Sequence, residues 1–128
     1  MPVPAAKLDQ FWSYLGQFVD QARRENHAPV ELEQIKAKIA ARDMQLWGLR
    51  KGSRTVGAVV TEVYGETCAV PYVAGVGMAD WLDLISVIEQ WARENGCTRL
   101  EGNGRDGWAR ALKRHGWRVI STTVAKDL

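Results

Sequence analysis

Apolar side chains recur every three or four residues over the first forty positions of the chain, which is the spacing of one face of an α-helix. The first stripe predicts a helix from about Leu8 to Glu25, terminated by Asn26; its apolar members are Leu8, Phe11, Trp12, Leu15, Phe18, Val19 and Ala22. After Pro29 the same spacing returns and predicts a shorter helix that ends near Ala41. The chain therefore begins with a predicted pair of helices.

From residue 45 onwards the period of the apolar positions changes from 3.6 to 2. Three segments are rich in β-branched and aromatic residues: Gln45–Arg50, Thr55–Tyr64 and Thr67–Val73. Turn signals at Lys51–Ser53 and Gly65–Glu66 separate them. This pattern predicts three consecutive antiparallel strands.

The second half of the chain alternates helices with strands. A long helix is predicted from about Asp80 to Asn95, and its core face is Trp81, Leu84, Ile85, Ile88, Trp91 and Ala92. A short strand, Thr98–Glu101, leads through a glycine-rich turn into a helix from about Trp108 to His115, which Gly116 closes in the left-handed conformation. The last segment, 117–125, has β-branched residues on both faces and predicts a strand that is covered on both sides.

These segments give the element order α-α-β-β-β-α-β-α-β. We therefore predict an α/β (α+β) fold, with a mixed, mostly antiparallel sheet flanked by helices. A chain of 128 residues that is 46% hydrophobic can bury one core but hardly two. Since no repeat or long linker divides the chain, we expect one domain over residues 1–128.

Several function classes are disfavoured by the composition. No run reaches the roughly 18 apolar residues of a membrane span, and the first ten residues lack the pattern of a secretory leader, so we expect a cytoplasmic protein without a membrane partner. The two cysteines, Cys68 and Cys97, have neither a metal-knuckle nor a CxxC spacing, and no metal site is predicted. Between Arg99 and Arg118 six basic residues face two acidic ones. That surplus fits a solvated helix face or a seat for phosphates, but the net charge of +2 disfavours nucleic acid as a partner.

The turn before the long helix carries the first candidate site. It reads Ala74-Gly75-Val76-Gly77-Met78-Ala79, and glycines at a helix N-terminus let an anion approach the unpaired N–H groups closely. Together with the element order, this turn resembles the GNAT superfamily of N-acetyltransferases, and the resemblance covers the chain from about Val30 to its end, after an N-terminal helix and turn at 1–29. The resemblance implies that acetyl-CoA binds here; its implied contacts are Val73, Gly75, Val76, Gly77, Met78 and Ala79, with Arg105 and Trp108. A plain strand-to-helix turn is the alternative explanation of the glycines.

The chain departs from the family pattern at three positions. Ala74 stands where the family has Arg or Gln, Arg105 where it often has Asn, and Leu112 where it commonly has a tyrosine that protonates the leaving thiolate. The pair Gly116-Trp117 does match the family's closing Gly-Phe. This variant also resembles small GNAT-like proteins of tailed bacteriophages, which implies a location in the bacterial host cell or on the virion.

The chemistry of acetyl transfer needs a held thioester, a polarised carbonyl and a base for the ammonium of the acceptor. Glu62 is the first candidate for the base, because a mid-sheet carboxylate between apolar Val60 and Val63 would take up a proton readily. Glu66 and Tyr72 are the further candidates. An exposed Glu62 on the solvent face of an edge-like strand is the alternative.

Two functions follow from these patterns. The first is acetyl-CoA-dependent transfer of an acetyl group to a small amine or a protein amino group. The second is a catalytically degenerate GNAT-like protein that acts in phage assembly, or as an accessory factor, by binding a phage or host protein. For Trp108 three roles stay open: stacking on adenine, covering the sheet, or anchoring a protein partner.

Overall fold

A computed structural model describes the chain over residues 2–26, 28–75, 77–102, 106–122 and 124–128, apart from the side chains of residues 78, 106 and 107. The strands are β1 (Pro2–Val3), β2 (Gln45–Lys51), β3 (Arg54–Tyr64), β4 (Thr67–Ala74) and β5 (Arg99–Gly102). The helices are α1 (Leu8–Glu25), α2 (Leu32–Ala40), α3 (Met78–Glu94) and α4 (Asp106–Leu112), with single 3-10 turns at Ala5–Lys7 and Lys113–His115.

One five-stranded sheet has its strands in the spatial order β1-β2-β3-β4-β5. All neighbours are antiparallel except β4 and β5, which are parallel because α3 carries the chain back across the sheet between them. The two predicted hairpin turns contain Gly52 at φ 62° and Gly65 at φ 57°, the left-handed conformation that tight turns require. The mixed, mostly antiparallel sheet and the α+β class are confirmed.

Helices cover the sheet on both faces, and each face has its own core. The α1–α2 layer packs on one face; its most deeply buried members larger than alanine are Leu15, Val19, Ile35, Ile39, Leu46 and Val60. The α3–α4 layer packs on the other; its most deeply buried members are Trp47, Val59, Cys68, Val70, Trp81 and Ile88. Within the described residues, none of the helices is long and apolar enough to cross a bilayer.

Strand β4 changes faces halfway along its length. Cys68 and Val70 belong to the α3–α4 layer, whereas Tyr72 and Ala74 belong to the α1–α2 layer. Regular alternation would place all four on one side. The register explains the change, since β3 pairs Val60 with Tyr72 and Glu62 with Ala69, leaving two residues of β4 opposite one of β3. This β-bulge reverses the orientation of every later side chain on β4.

The prediction of a closing strand at 117–125 is wrong for the residues that the structure describes there. Residues 117–122 and 124–128 contain no strand, and the β-branched side chains of Val119, Ile120 and Val124 are exposed by 67%, 53% and 88%. Strand propensity reflects how well a side chain fits a half-buried pleated surface, and this segment has no such surface to cover it. Of the residues described in this segment, only Trp117 packs inward, against the α3–α4 layer. The order from α1 to α4 agrees with the prediction, the two-residue strand β1 was not predicted, and the left-handed Gly116 is found at φ 87°.

Candidate functional site

Strands β4 and β5 are paired over only half of β4. Their register runs from Thr67 opposite Arg99 to Val70 opposite Gly102, and β5 ends there. β4 continues through Ala74, so its last four residues have no partner on that edge among the described residues. We call the opening beside residues 71–74 the β4–β5 cleft. Backbone groups on an unpaired strand edge can bind an extended ligand as a further strand would.

The bulge that precedes the cleft is held from the opposite layer. Asn26, the residue after α1, donates a hydrogen bond from its side-chain nitrogen Nδ2 to the carbonyl oxygen of Pro71, at 2.7 Å. Pro71 has no N–H to offer a neighbouring strand, which suits a bulge. The sequence pattern identifies Asn26 only as a helix terminator, because a contact between residues 45 positions apart leaves no local signal.

Helix α3 begins at the mouth of the cleft without a side-chain cap. Its N-cap residue is Gly77, at φ −74° and ψ 162°, and the first helical hydrogen bond runs from the N–H of Trp81 to the carbonyl of Gly77 at 2.9 Å. Among the described residues, a Cβ added at Gly77 would meet only the Asp80 carboxylate, at 3.7 Å. The start of the helix is therefore open to close approach by an anion, and the helix dipole favours one.

Gly75 has a structural requirement of its own. Its φ is +74°, and an added Cβ would lie 2.3 Å from the carbonyl oxygen of Val56 and 2.9 Å from the Phe18 ring. The residue therefore turns the chain out of β4 while touching both β3 and α1. The two glycines of the turn therefore differ in the room for a side chain, which is blocked at Gly75 and is not blocked by the described residues at Gly77.

A cation that the sequence analysis missed lies beside this turn. Lys51, at the end of β2, places its Nζ atom 3.2 Å from the Asp80 carboxylate in the first turn of α3. Both side chains are at least partly exposed, so the pair contributes little to stability. The ion pair matters for its location: it holds a lysine near the start of α3 and offsets the negative charge of Asp80 there.

Acidic side chains lie on the α1–α2 side of the sheet. The register places Glu62, Ala69 and Glu101 in one row across β3, β4 and β5, so the two carboxylates share a face. Glu62 is 30% exposed and lies 3.8 Å from the Nζ atom of Lys38. Glu62 is thus half-buried. This burial is intermediate between the two alternatives of the sequence analysis, a carboxylate shielded from water within the sheet and one exposed on its solvent face.

Glu101 is fixed by its own contacts. Its carboxylate accepts a hydrogen bond from the Tyr64 hydroxyl at 3.0 Å and lies 2.8 Å from the Arg99 guanidinium. The hydrogen bond to Glu101 raises the pKa of Tyr64 above its usual value; desolvation and the charges of Glu101 and Glu62 raise it further, and the charge of Arg99 lowers it. Sequence reasoning missed Glu101, because only the register of β5 brings it into the row of Glu62.

Tyr72, the second candidate, is 6% exposed and packs in the α1–α2 layer. Burial raises the pKa of its phenol, the charge of Glu62 raises it further, and Arg23 lowers it. The phenol therefore stays protonated near neutral pH. Tyr72 is suited to donate a proton or a hydrogen bond rather than to act as a base.

Glu66 is separated from these residues by the strand. It lies in the β3–β4 turn, four residues or roughly 13 Å before Val70, where its backbone carbonyl accepts hydrogen bonds from Thr98 at 2.8 Å and Arg99 at 3.3 Å. The structure brings Glu62 and Tyr72 together but places Glu66 at the far end of β4.

The predicted cofactor contacts fall into three groups. Gly77 and Ala79 lie at the start of α3, on either side of Met78, the first helical residue, and Gly75 directly follows β4. Val73 is half-buried opposite Val59 and packs in the α3–α4 layer. Val76 and Arg105 lie outside the described residues, as does the side chain of Met78.

Two tryptophans close the gap between α3 and α4. Trp108 is half-buried and its ring centroid lies 5.4 Å from that of Trp81, with the planes tilted by 48°. Trp108 also packs against the α3–α4 core, and its predicted role as a cofactor contact stays a prediction. Trp81 is 2% exposed, and its indole Nε1 has no hydrogen-bond partner among the described residues.

A separate cavity of about 490 Å³ lies near the C-terminal half of α3 and the β1–β2 edge; its lining is Pro2, Trp47, Ser86, Val87, Gln90, Trp91 and Glu94. It shares no residue with the β4–β5 cleft. Its walls include no catalytic candidate. The cleft is therefore the candidate functional site.

Comparison with solved structures agrees with this architecture. The chain is similar to a ribosomal-protein-alanine N-acetyltransferase from Brucella melitensis biovar Abortus 2308, with 15% identity, a TM-score of 0.68 and coverage of 100% of this chain and 98% of that one. It is similar to a predicted acetyltransferase with acetyl-CoA from Clostridium acetobutylicum, with 7% identity, a TM-score of 0.70 and coverage of 99% and 94%. An aminoglycoside acetyltransferase from an uncultured soil metagenomic sample, in complex with sisomicin, has 11% identity, a TM-score of 0.65 and coverage of 99% and 95%.

No protein-family model matches the chain, and no curated protein matches it in sequence. At identities of 7–15% the structural similarity shows the fold alone. The sheet order, the β4–β5 cleft and the uncapped start of α3 together with these neighbours show that the chain has the GNAT-like fold of the N-acetyltransferases.

Proposed function

We propose that the protein is an acetyl-CoA-dependent N-acetyltransferase whose acceptor is an amine. The observation that carries the proposal is that β4 and β5 part directly beside an uncapped helix N-terminus. An extended ligand that ends in a diphosphate fits these two features, because one offers unpaired strand backbone and the other offers N–H groups to an anion. Acetyl-CoA has that form.

Two neighbouring parts of the backbone would hold acetyl-CoA. The backbone of residues 71–74 would line its pantetheine arm, and the N–H groups at the start of α3 would bind its diphosphate. Lys51 would add a positive charge at the same place, where the side chain expected at Ala74 is missing. We also propose that Val76, Arg105 and Trp108 contact acetyl-CoA. When bound, acetyl-CoA supplies an acetyl group on a thioester, whose carbonyl carbon accepts an amine.

Glu62 is the proposed base. It would take a proton from the ammonium of the acceptor. The neutral amine would then bond to the thioester carbonyl carbon while the carbon–sulfur bond breaks, and CoA would leave as the thiol with the proton that the nitrogen loses. Tyr72, kept protonated by burial, would donate a hydrogen bond on the same side of the sheet. The structural neighbours include an aminoglycoside acetyltransferase and a ribosomal-protein-alanine N-acetyltransferase, so a small amine or a protein amino group is the proposed acceptor class.

Calorimetry with acetyl-CoA and with CoA tests the proposal. We expect binding in the micromolar range for the natural sequence and none for Gly77→Asp. The introduced carboxylate would occupy the anion position and repel the diphosphate, yet it would leave the stability of the free protein within about 0.5 kcal/mol, because aspartate is a good N-cap. Gly65→Asp is the matched control: it adds the same charge at the opposite end of β4, where nothing lies within 4 Å of an added Cβ, and it should bind normally.

The alternative function predicts that the protein does not bind acetyl-CoA. A catalytically degenerate protein that serves phage assembly or an accessory role by protein–protein binding would show no heat or thermal shift with acetyl-CoA at a large excess. That result, or equal affinity of Gly77→Asp and the natural sequence, would contradict the proposed transferase.

A further inference from the structure

The indole N–H of Trp81 is the buried polar group that the fold leaves without a partner among the described residues. Trp47 provides the comparison within the same core. It is equally buried, but its Nε1 donates to the Thr61 hydroxyl at 3.0 Å, and Thr61 in turn donates to the side-chain oxygen of Gln45 at 2.9 Å. A buried donor without an acceptor bears the full cost of losing its water. Such groups are rare in folded proteins and call for a ligand or another explanation.

The position of Trp81 relates this donor to the β4–β5 cleft. Trp81 makes the first helical hydrogen bond of α3, so it lies one turn inside the proposed diphosphate position at Gly77. Its ring contacts Trp108 on α4, which places the indole between the two helices that flank the cleft. Val70 and Val73, on either side of the point where β4 and β5 part, belong to the same cluster.

We propose that the Trp81 indole N–H donates a hydrogen bond to an amide carbonyl oxygen of the pantetheine arm of bound CoA. The inference rests on the proposed function and deepens it by assigning a binding residue. A neutral donor in a dry environment suits a neutral amide oxygen, whereas the diphosphate remains at the open start of α3. Trp81 would thereby give CoA a polar side-chain interaction within the cleft, which the methyl group of Ala74 cannot provide.

Trp81→Phe tests the assignment, because it removes the N–H and keeps an aromatic ring. We expect CoA affinity to fall about tenfold, which corresponds to 1.4 kcal/mol. The affinity for 3′,5′-ADP, which lacks the pantetheine arm, should stay unchanged. A role in core packing alone would weaken both ligands equally.

Trp47→Phe is the matched control, since the same ring is reduced in the same core. It breaks the hydrogen bond to Thr61, so it should lower the melting temperature more than Trp81→Phe does. Its CoA affinity should equal that of the natural sequence. A larger thermal destabilisation by Trp81→Phe would show that the Trp81 N–H has a partner in the free protein and would overturn the proposal.

Nuclear magnetic resonance gives a readout that needs no substitution. The six tryptophans give six indole ¹H–¹⁵N signals, which backbone assignment can identify. On addition of CoA, the Trp81 signal should move downfield and its exchange with solvent should slow, as expected when a donor gains an acceptor. With 3′,5′-ADP it should stay in place.

The outcomes separate the two proposals. If the natural sequence binds CoA while Trp81→Phe binds it equally and the indole signal does not move, the role of Trp81 is overturned and the transferase proposal stands. If the natural sequence does not bind CoA at all, both are overturned.

Discussion

Gly75 and Gly77 look alike in sequence but act differently in the structure. Gly75 takes a left-handed conformation against the backbone of β3, whereas Gly77 takes an extended one with space around it. The sequence predicts both glycines as part of one turn, and it cannot divide them, because the contact that restricts Gly75 comes from Val56, far away in the chain. Of the two, Gly77 alone could carry a side chain without a clash against the described residues.

Gly75→Ala should therefore lower the free energy of unfolding by about 2–4 kcal/mol, since the added Cβ is both sterically blocked and at positive φ. Urea denaturation measures the change. Gly65→Ala is the control, because Gly65 also has a positive φ, of 57°, but nothing lies within 4 Å of its added Cβ. It should cost about 1 kcal/mol. Equal destabilisation at the two sites would contradict the close approach at Gly75.

Glu62→Gln should reduce turnover about 100-fold while leaving acetyl-CoA affinity unchanged, because a general base acts on the acceptor and not on the thioester donor. Release of the CoA thiol in the presence of a panel of primary amines measures turnover. Glu66→Gln, at the far end of β4, is expected to keep full turnover. If Glu66→Gln is the slow variant and Glu62→Gln is not, the assignment of the base is wrong.

At the scale of elements, the periodic segments were predictable and the irregular ones were not. The two N-terminal helices, the hairpin strands and the core face of α3 follow from spacing, since each buries a regular stripe of side chains. The bulge in β4 moves its later buried side chains to the other layer. The sequence does not reveal it, because buried and less buried residues still alternate along the whole strand. The row of Glu62 and Glu101 was missed for a similar reason, because register is a property of two strands and not of one.

The hydrogen bond between the end of α1 and β4 can be tested at this scale. Asn26→Ala removes the hydrogen bond to the Pro71 carbonyl and should lower the free energy of unfolding by about 1–2 kcal/mol. We also expect weaker CoA binding, because Pro71 begins the unpaired half of β4. Asn95→Ala makes the same change at the end of α3, where the side chain bonds only its own helix, to Trp91 at 2.8 Å. That control should be destabilised by less than about 0.5 kcal/mol and bind CoA normally.

At the scale of the whole molecule, two helical layers enclose the sheet up to Trp117, and the chain beyond contributes little burial. A strand was predicted there from β-branched residues alone, which report strand preference but not whether a neighbour exists. The same limit applies to the cleft, which the sequence could suggest only through resemblance. Its opening depends on where β5 ends relative to β4.

Deleting residues 119–128 should change the free energy of unfolding by less than about 0.5 kcal/mol, because their described side chains are exposed. Chemical denaturation of the shortened chain measures this. A deletion that also removes Trp117 is the contrasting variant, since that side chain packs in the α3–α4 layer, and it should be clearly less stable. A decrease above about 2 kcal/mol for the shorter deletion would show that the tail does pair with the sheet.

The change of faces in β4 determines where the chain can tolerate an inserted or deleted residue. Because Thr61 opposes two residues of β4, one strand contributes side chains to both layers, and the extra residue sets which layer receives the Tyr72 phenol. Losing a single codon between positions 68 and 72 would turn every later side chain of the strand to the wrong side. Insertions and deletions of codons should therefore be tolerated in the exposed tail and rejected in the middle of the sheet.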